Sequence, residues 1–173
     1  PQLLKNNEIE NDETHLIQNI TKLNDSIDNY KQVGNIQTNK DDFQNAYIGG
    51  GDSATNGQYL WHLYYVSGGI EAEKELFDFS LNQTNEITAI ASSPIDFSYR
   101  YVLTNKGRFY YSDDEGQTWN LTSFNVSDFH GNVIIPSPTH LGRVIIGGSG
   151  YSNPGVYISD NHGQNFTPLD NNI

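Results

Sequence analysis

Two octapeptides carry side chains suited to bonding a neighbouring backbone. They are Ser112-Asp113-Asp114-Glu115-Gly116-Gln117-Thr118-Trp119 and Ser159-Asp160-Asn161-His162-Gly163-Gln164-Asn165-Phe166, placed 47 residues apart. Each sets Asp or Asn two residues after a serine, glycine four after it, and Trp or Phe seven after it. Asp and Asn accept hydrogen bonds from N–H groups across a turn and tolerate unusual dihedrals. Gly116 and Gly163 permit a positive φ that a side chain would oppose. Trp119 and Phe166 each offer about 2–3 kcal/mol on burial. This chemistry is structural rather than catalytic. The pattern predicts a stapled hairpin turn built from Ser112, Asp114, Gly116, Thr118 and Trp119, and again from Ser159, Asn161, Gly163, Asn165 and Phe166.

Other residue types bear on reactions that need particular groups in particular places. Glycoside cleavage needs two carboxyl groups roughly 5–10 Å apart across a cleft. Asp52, in the loop Gly49-Gly50-Gly51-Asp52-Ser53-Ala54-Thr55-Asn56-Gly57, is the best-placed acid, but a lone loop acid reads first as a turn former. His15, His62, His130, His140 and His162 show no metal-ligand spacing. No serine lies in a G-x-S-x-G elbow, and no lysine or helix follows Gly147-Gly148-Ser149-Gly150 as a phosphate loop would require. With no cysteine, thiol catalysis, disulfides and Cys-ligated zinc are excluded. The expectation is therefore no catalytic residue, metal or cofactor in this chain. Aromatic residues in loops can instead stack on sugar rings or fill a partner's pocket. Tyr59, Trp61, Phe129, His130 and Tyr151, together with Asp52, are the loop residues that are candidates for touching a ligand.

The elements that must position these groups follow from an internal repeat. Residues 87–122 and 132–169 align, with Ser93-Pro94 matching Ser137-Pro138 and Ser112 matching Ser159. A period in the mid-forties is the length of a four-stranded propeller blade. In the first unit, strands are predicted at Ile87–Ala91, Tyr101–Thr104, Arg108–Ser112 and Thr118–Leu121, with Asn105-Lys106-Gly107 as a hairpin signal. A divergent unit covers about residues 45–80, with Tyr47-Ile48, Trp61–Val66 and Glu75–Phe79 as its strands. Residues 1–40 read as a linker, an amphipathic helix carrying Leu16, Ile20, Leu23, Ile27 and Tyr30, or a truncated blade. The expected fold is all-β: a partial β-propeller of about three antiparallel four-stranded blades within residues 41–173.

The paired motifs resemble the Asp-box, or BNR repeat, of sialidases, sortilin-type receptors, xyloglucanase-type glycoside hydrolases and many secreted bacterial propellers. The resemblance covers about residues 45–170. It implies that the motif lies on the turn between third and fourth strands, away from the ligand face. That face, in the resembling families, is built by loops between second and third strands and between blades. A sialidase-like site would need clustered arginines, whereas Arg100, Arg108 and Arg143 sit at strand edges. The resemblance thus implies a non-catalytic scaffold or binding module of a secreted or cell-surface protein, with carbohydrate or protein as ligand. The alternative is part of a xyloglucanase-like hydrolase whose catalytic acids lie outside this segment.

Composition agrees with this class. Only 17% of residues are charged and 35% hydrophobic, with Asn, Ser, Thr, Gly and Tyr making up the difference, a mix that suits short strands and many turns. A net charge of −12 opposes nucleic acid as a partner. No apolar run approaches the roughly 18 residues of a membrane span. The chain contains no Met, so Pro1 reads as a processed or excised end, with any signal peptide outside it. Further propeller blades of a parent chain are the expected partners.

Overall fold

A computed structural model describes residues 35–39, 42–50, 57–81, 85–126, 129–150 and 153–169. Among them there is no helix. Twelve strands form three antiparallel sheets of four. The first holds β1 (Asn35–Asn39), β2 (Asp42–Gly49), β3 (Leu60–Val66) and β4 (Gly69–Lys74). The second holds β5 (Ile87–Ser92), β6 (Arg100–Thr104), β7 (Arg108–Ser112) and β8 (Asn120–Asn125). The third holds β9 (His130–Pro136), β10 (Val144–Ser149), β11 (Val156–Ser159) and β12 (Thr167–Pro168). Each sheet is a simple meander in chain order. The sheets pack in series, with β5 touching β1 on one side and β9 on the other.

The middle sheet shows why its strands form. Arg100-Tyr101-Val102-Leu103-Thr104 and Arg108-Phe109-Tyr110-Tyr111-Ser112 are rich in aromatic and branched residues, which favour extended backbone. Pairing sets Tyr101 opposite Tyr111, Val102 opposite Tyr110 and Leu103 opposite Phe109. Alternation then turns Val102 and Tyr110, with Ile87 and Ile90 of β5, toward the first sheet, where they meet Leu60 and the connecting Phe79. Tyr101, Leu103 and Phe109 go to the third, against Ile134, Val144, Ile146 and Tyr157. Both faces are buried, so these strands read as continuous apolar runs.

Three strand expectations change. The first sheet begins with the polar strand β1, ahead of Tyr47-Ile48, because β2 supplies it with a ladder from Gly49 back to Ala46. Glu75–Phe79 is not a strand: Ser67-Gly68 already closes a two-residue hairpin into β4. Phe77 and Phe79 instead plug the joint between the first two sheets. Thr118 belongs to a turn, and the fourth strand of the second sheet starts at Asn120, beyond Trp119. The helix-or-blade alternatives for residues 1–34 lie outside the described residues.

Candidate functional site

β7 ends at Ser112, whose hydroxyl donates to Asp114 Oδ1 at 2.8 Å and accepts the N–H of Gly116 at 2.8 Å and of Asp114 at 3.3 Å. Asp114 in turn accepts the Thr118 N–H at 2.8 Å and the Thr118 hydroxyl at 2.6 Å. After β11 the same wiring recurs. Ser159 donates to Asn161 Oδ1 at 2.9 Å and accepts the Gly163 N–H at 2.9 Å, and Asn161 Oδ1 accepts the Asn165 N–H at 3.0 Å. Both turns take positive φ at matching places, 61° and 89° at Glu115 and Gly116, 60° and 83° at His162 and Gly163. The Thr118 hydroxyl, followed by its N–H and the Ser112 hydroxyl, holds the Asp114 carboxyl below its ordinary range. A carboxylate so stabilised is a poor proton acceptor, and it is committed to its own turn.

The aromatic residue closing each turn reaches the preceding sheet junction. Trp119 packs edge-on against Phe79 at 5.1 Å, and Phe166 edge-on against Phe109 at 5.0 Å and tilted against Phe124 at 4.8 Å. Both rings are partly buried. The arginines before the second strands have parted ways. Arg143 Nε donates to Asp160 Oδ1 at 2.6 Å, whereas the Arg100 guanidinium lies over the Tyr47 ring at 4.2 Å.

Of the candidate ligand-face residues, the described ones, Tyr59, Trp61, Phe129 and His130, belong to the opposite end of the sheets. There the loops between second and third strands meet the connections between sheets. The Phe79 N–H bonds Gln58 O, the Ile87 N–H bonds Gly57 O and the Asn105 N–H bonds Glu86 O. Tyr59 is half-buried under the Lys74 ammonium, 4.2 Å from its ring centre. Trp61 points to the face of the first sheet opposite Leu60, away from the second sheet. His130 is exposed at the start of β9. Phe129 is a correction: it is fully buried, between the Phe124 and Tyr157 rings, because the entry into β9 turns it toward the core. Asp52 and Tyr151 lie outside the described residues. Tyr59 just precedes β3 and Trp61 lies in it, on the first sheet, and His130 is on the third, with the second sheet between them. Among the described residues no group of three or more His, Asp or Glu is arranged for a metal ion. No helix among them is long and apolar enough to cross a membrane.

Comparison with known proteins rests on this geometry. A family model described as the BNR/Asp-box repeat matches residues 110–121, which span the first stapled turn. The chain carries a BNR/Asp-box repeat. No curated protein matches the chain. Among solved structures, it is similar to the GH74 xyloglucanase from Xanthomonas campestris, at 15% identity and TM-score 0.60, covering 82% of this chain and 24% of that one. It is also similar to the GH74 enzyme of Niastella koreensis, at 21% identity and TM-score 0.62, covering 83% and 23%. A third similar structure is YCF48 bound to D1 peptide, at 12% identity and TM-score 0.56, covering 79% and 39%. The fold of this Asp-box chain is a partial β-propeller, and the chain spans about a quarter of the length of the two GH74 proteins. The box was legible from local spacing. What sequence reasoning missed is the set of contacts across sheet junctions, namely Phe77 and Phe79, Arg100 on Tyr47, and His162 on Tyr99. Aromatic density was their only local signal.

Proposed function

We propose that this chain is a non-catalytic arc of Asp-box blades that holds binding loops at one end of its sheets, in a secreted or cell-surface protein. The observation that carries this reading is the division of labour between the two ends. The box hydroxyls and carboxyl or amide oxygens are consumed within their own turns. The loops at the other end include the exposed His130 and the half-buried Tyr59. Rings and imidazoles presented on rigid strands suit a sugar or an extended peptide. YCF48, of similar fold, is bound to a peptide in its structure, and the similar GH74 xyloglucanase supports carbohydrate as the other ligand class.

The xyloglucanase also favours a second reading, in which the chain is part of a polysaccharide hydrolase and other blades supply the acids. The test is to assay residues 1–173 against xyloglucan, β-glucan and sialoside substrates, alongside glycan-array and peptide-array binding. The expected outcome is saturable binding without turnover, weakened by Tyr59→Ala or His130→Ala. Turnover that disappears in Asp52→Asn would overturn the non-catalytic reading and place chemistry in the Gly49–Gln58 loop.

A further inference from the structure

His162 occupies the left-handed position of the second Asp-box turn, where Glu115 stands in the first. Its φ of 60° turns the imidazole away from its own blade and onto the second sheet. There the ring stacks on Tyr99, centroids 3.8 Å apart and planes 17° apart. Nδ1 lies 3.0 Å from the Tyr101 hydroxyl, a contact spanning 61 residues of chain. On its own side, the Gly142 carbonyl accepts the His162 N–H at 2.8 Å, and a Cβ at Gly142 would press on the imidazole. The side chain is thus clamped at the corner where the second and third blades meet. Tyr99 and Tyr101 lie on one side and the turn before β10 on the other.

We propose that His162 is a pH-sensitive latch between these two blades, closed when its imidazole is neutral and released when it is protonated. The closed latch takes the neutral Nε2–H tautomer, in which Nδ1 carries a lone pair that accepts from the Tyr101 hydroxyl. Tyr101 is almost wholly buried, and burial pushes its phenol far above its ordinary range, so the hydroxyl keeps its proton. Protonation places a hydrogen on Nδ1, which faces that O–H. The hydroxyl must then rotate to accept, and its own hydrogen is left without this partner in a buried place, which destabilises the joint.

The charged groups around the ring act in opposition. Burial lowers the His162 pKa, whereas Asp96, in the turn between β5 and β6, and Asp113, in the first box, raise it; burial prevails. The neighbouring Asp160 is engaged with Arg143. A histidine whose folded pKa lies below its unfolded value of about 6.5 contributes stability that is complete above that value and is lost as pH falls from it through the folded value. Acidification therefore weakens the corner, while the staple formed by Ser159 and the neutral Asn161 has no group to titrate. The latch is independent of the ligand proposed above.

The test uses NMR titration of His162 in residues 1–173, with urea melts at pH 7 and pH 5. The expected His162 pKa is below 6.5, rising in Tyr101→Phe, which removes the donor to the neutral ring, and falling in Asp96→Asn. The urea midpoint should drop between pH 7 and pH 5 in the native chain and change less in His162→Asn, since Asn tolerates positive φ and does not titrate in this range. A His162 pKa at or above 6.5, or one that does not rise in Tyr101→Phe, would overturn the proposal. So would an undiminished pH dependence in His162→Asn. Should His162→Asn fail to fold, the native and Asp96→Asn titrations still decide.

Discussion

At the scale of single residues, the two boxes solve one problem with different chemistry. Asp114 gathers three donors, from Ser112, the Thr118 N–H and the Thr118 hydroxyl, all of which favour the charged form. Asn161 gathers two and carries no charge. Because the folded pKa of Asp114 is depressed, its stabilisation is complete above the unfolded carboxyl value of about 3.9 and is lost as pH falls through the folded value. Asp114→Asn should therefore flatten part of the acid limb of a stability profile below about pH 4, and Asn161→Ala should leave that limb unchanged. Thermal melts between pH 2 and pH 7 check both. The paired glycines differ as well. A Cβ at Gly163 would run into the Phe109 ring, whereas one at Gly116 meets the end of the flexible Arg100 side chain. Gly116→Ala should cost about 1 kcal/mol, from positive φ. Gly163→Ala should cost about 2–4 kcal/mol in denaturant melts, since overpacking adds to that strain.

Within the strands, alternation decides which residues carry the packing. In β9, Ile134 points into the joint with the second sheet, while Val133 and Ile135 flank it on the outward, exposed face. Ile134→Ala should cost about 2–4 kcal/mol, the usual range for a buried aliphatic. Ile135→Ala should cost less than about 1 kcal/mol, and urea midpoints separate the two. Equal costs would mean that the register of β9 on β10 is wrong. The same alternation explains the divergent first sheet. Leu60 faces the second sheet, its neighbour Trp61 turns the other way, and the charged strand β4 keeps Glu71, Glu73 and Lys74 exposed along the sheet edge. Charged residues on an edge strand discourage pairing with another chain.

Across the whole molecule, stability is the sum of sheets and the joints between them, as in other repeat proteins. The joint between first and second sheets is centred on Phe79, which is fully buried, meets Phe77, Tyr110 and Trp119 edge-on, and offers its carbonyl to the Tyr110 hydroxyl at 3.0 Å. Burial pushes that phenol up to about 12, so it remains a donor at any physiological pH. Phe79→Ala should cost about 3–5 kcal/mol. It should also speed amide exchange in β2 and β3 more than in β10, which packs at the other joint. Uniform acceleration across all three sheets would mean that the blades unfold as one unit.

How much could be read from the chain alone divides along the range of the interactions. The all-β class, the repeat and the box staples were legible because their causes are local. Ser112 reaches Asp114 and Gly116, and Asp114 reaches Thr118, within four residues. A fixed spacing in the chain therefore maps onto a fixed geometry. β1 was not read as a strand, since Asn-Ile-Gln-Thr-Asn has a single apolar residue and is extended because β2 lies beside it. Nor was the fate of the aromatics legible. Phe129 looked available to a ligand, Phe77 and Phe79 looked like a strand, and His162 looked like a turn residue. Each was assigned its role by packing between sheets, as when the Tyr101 hydroxyl meets His162 across 61 residues. No periodicity records which face of one sheet will meet another, because that depends on how the sheets stack. Only the tertiary structure decided it.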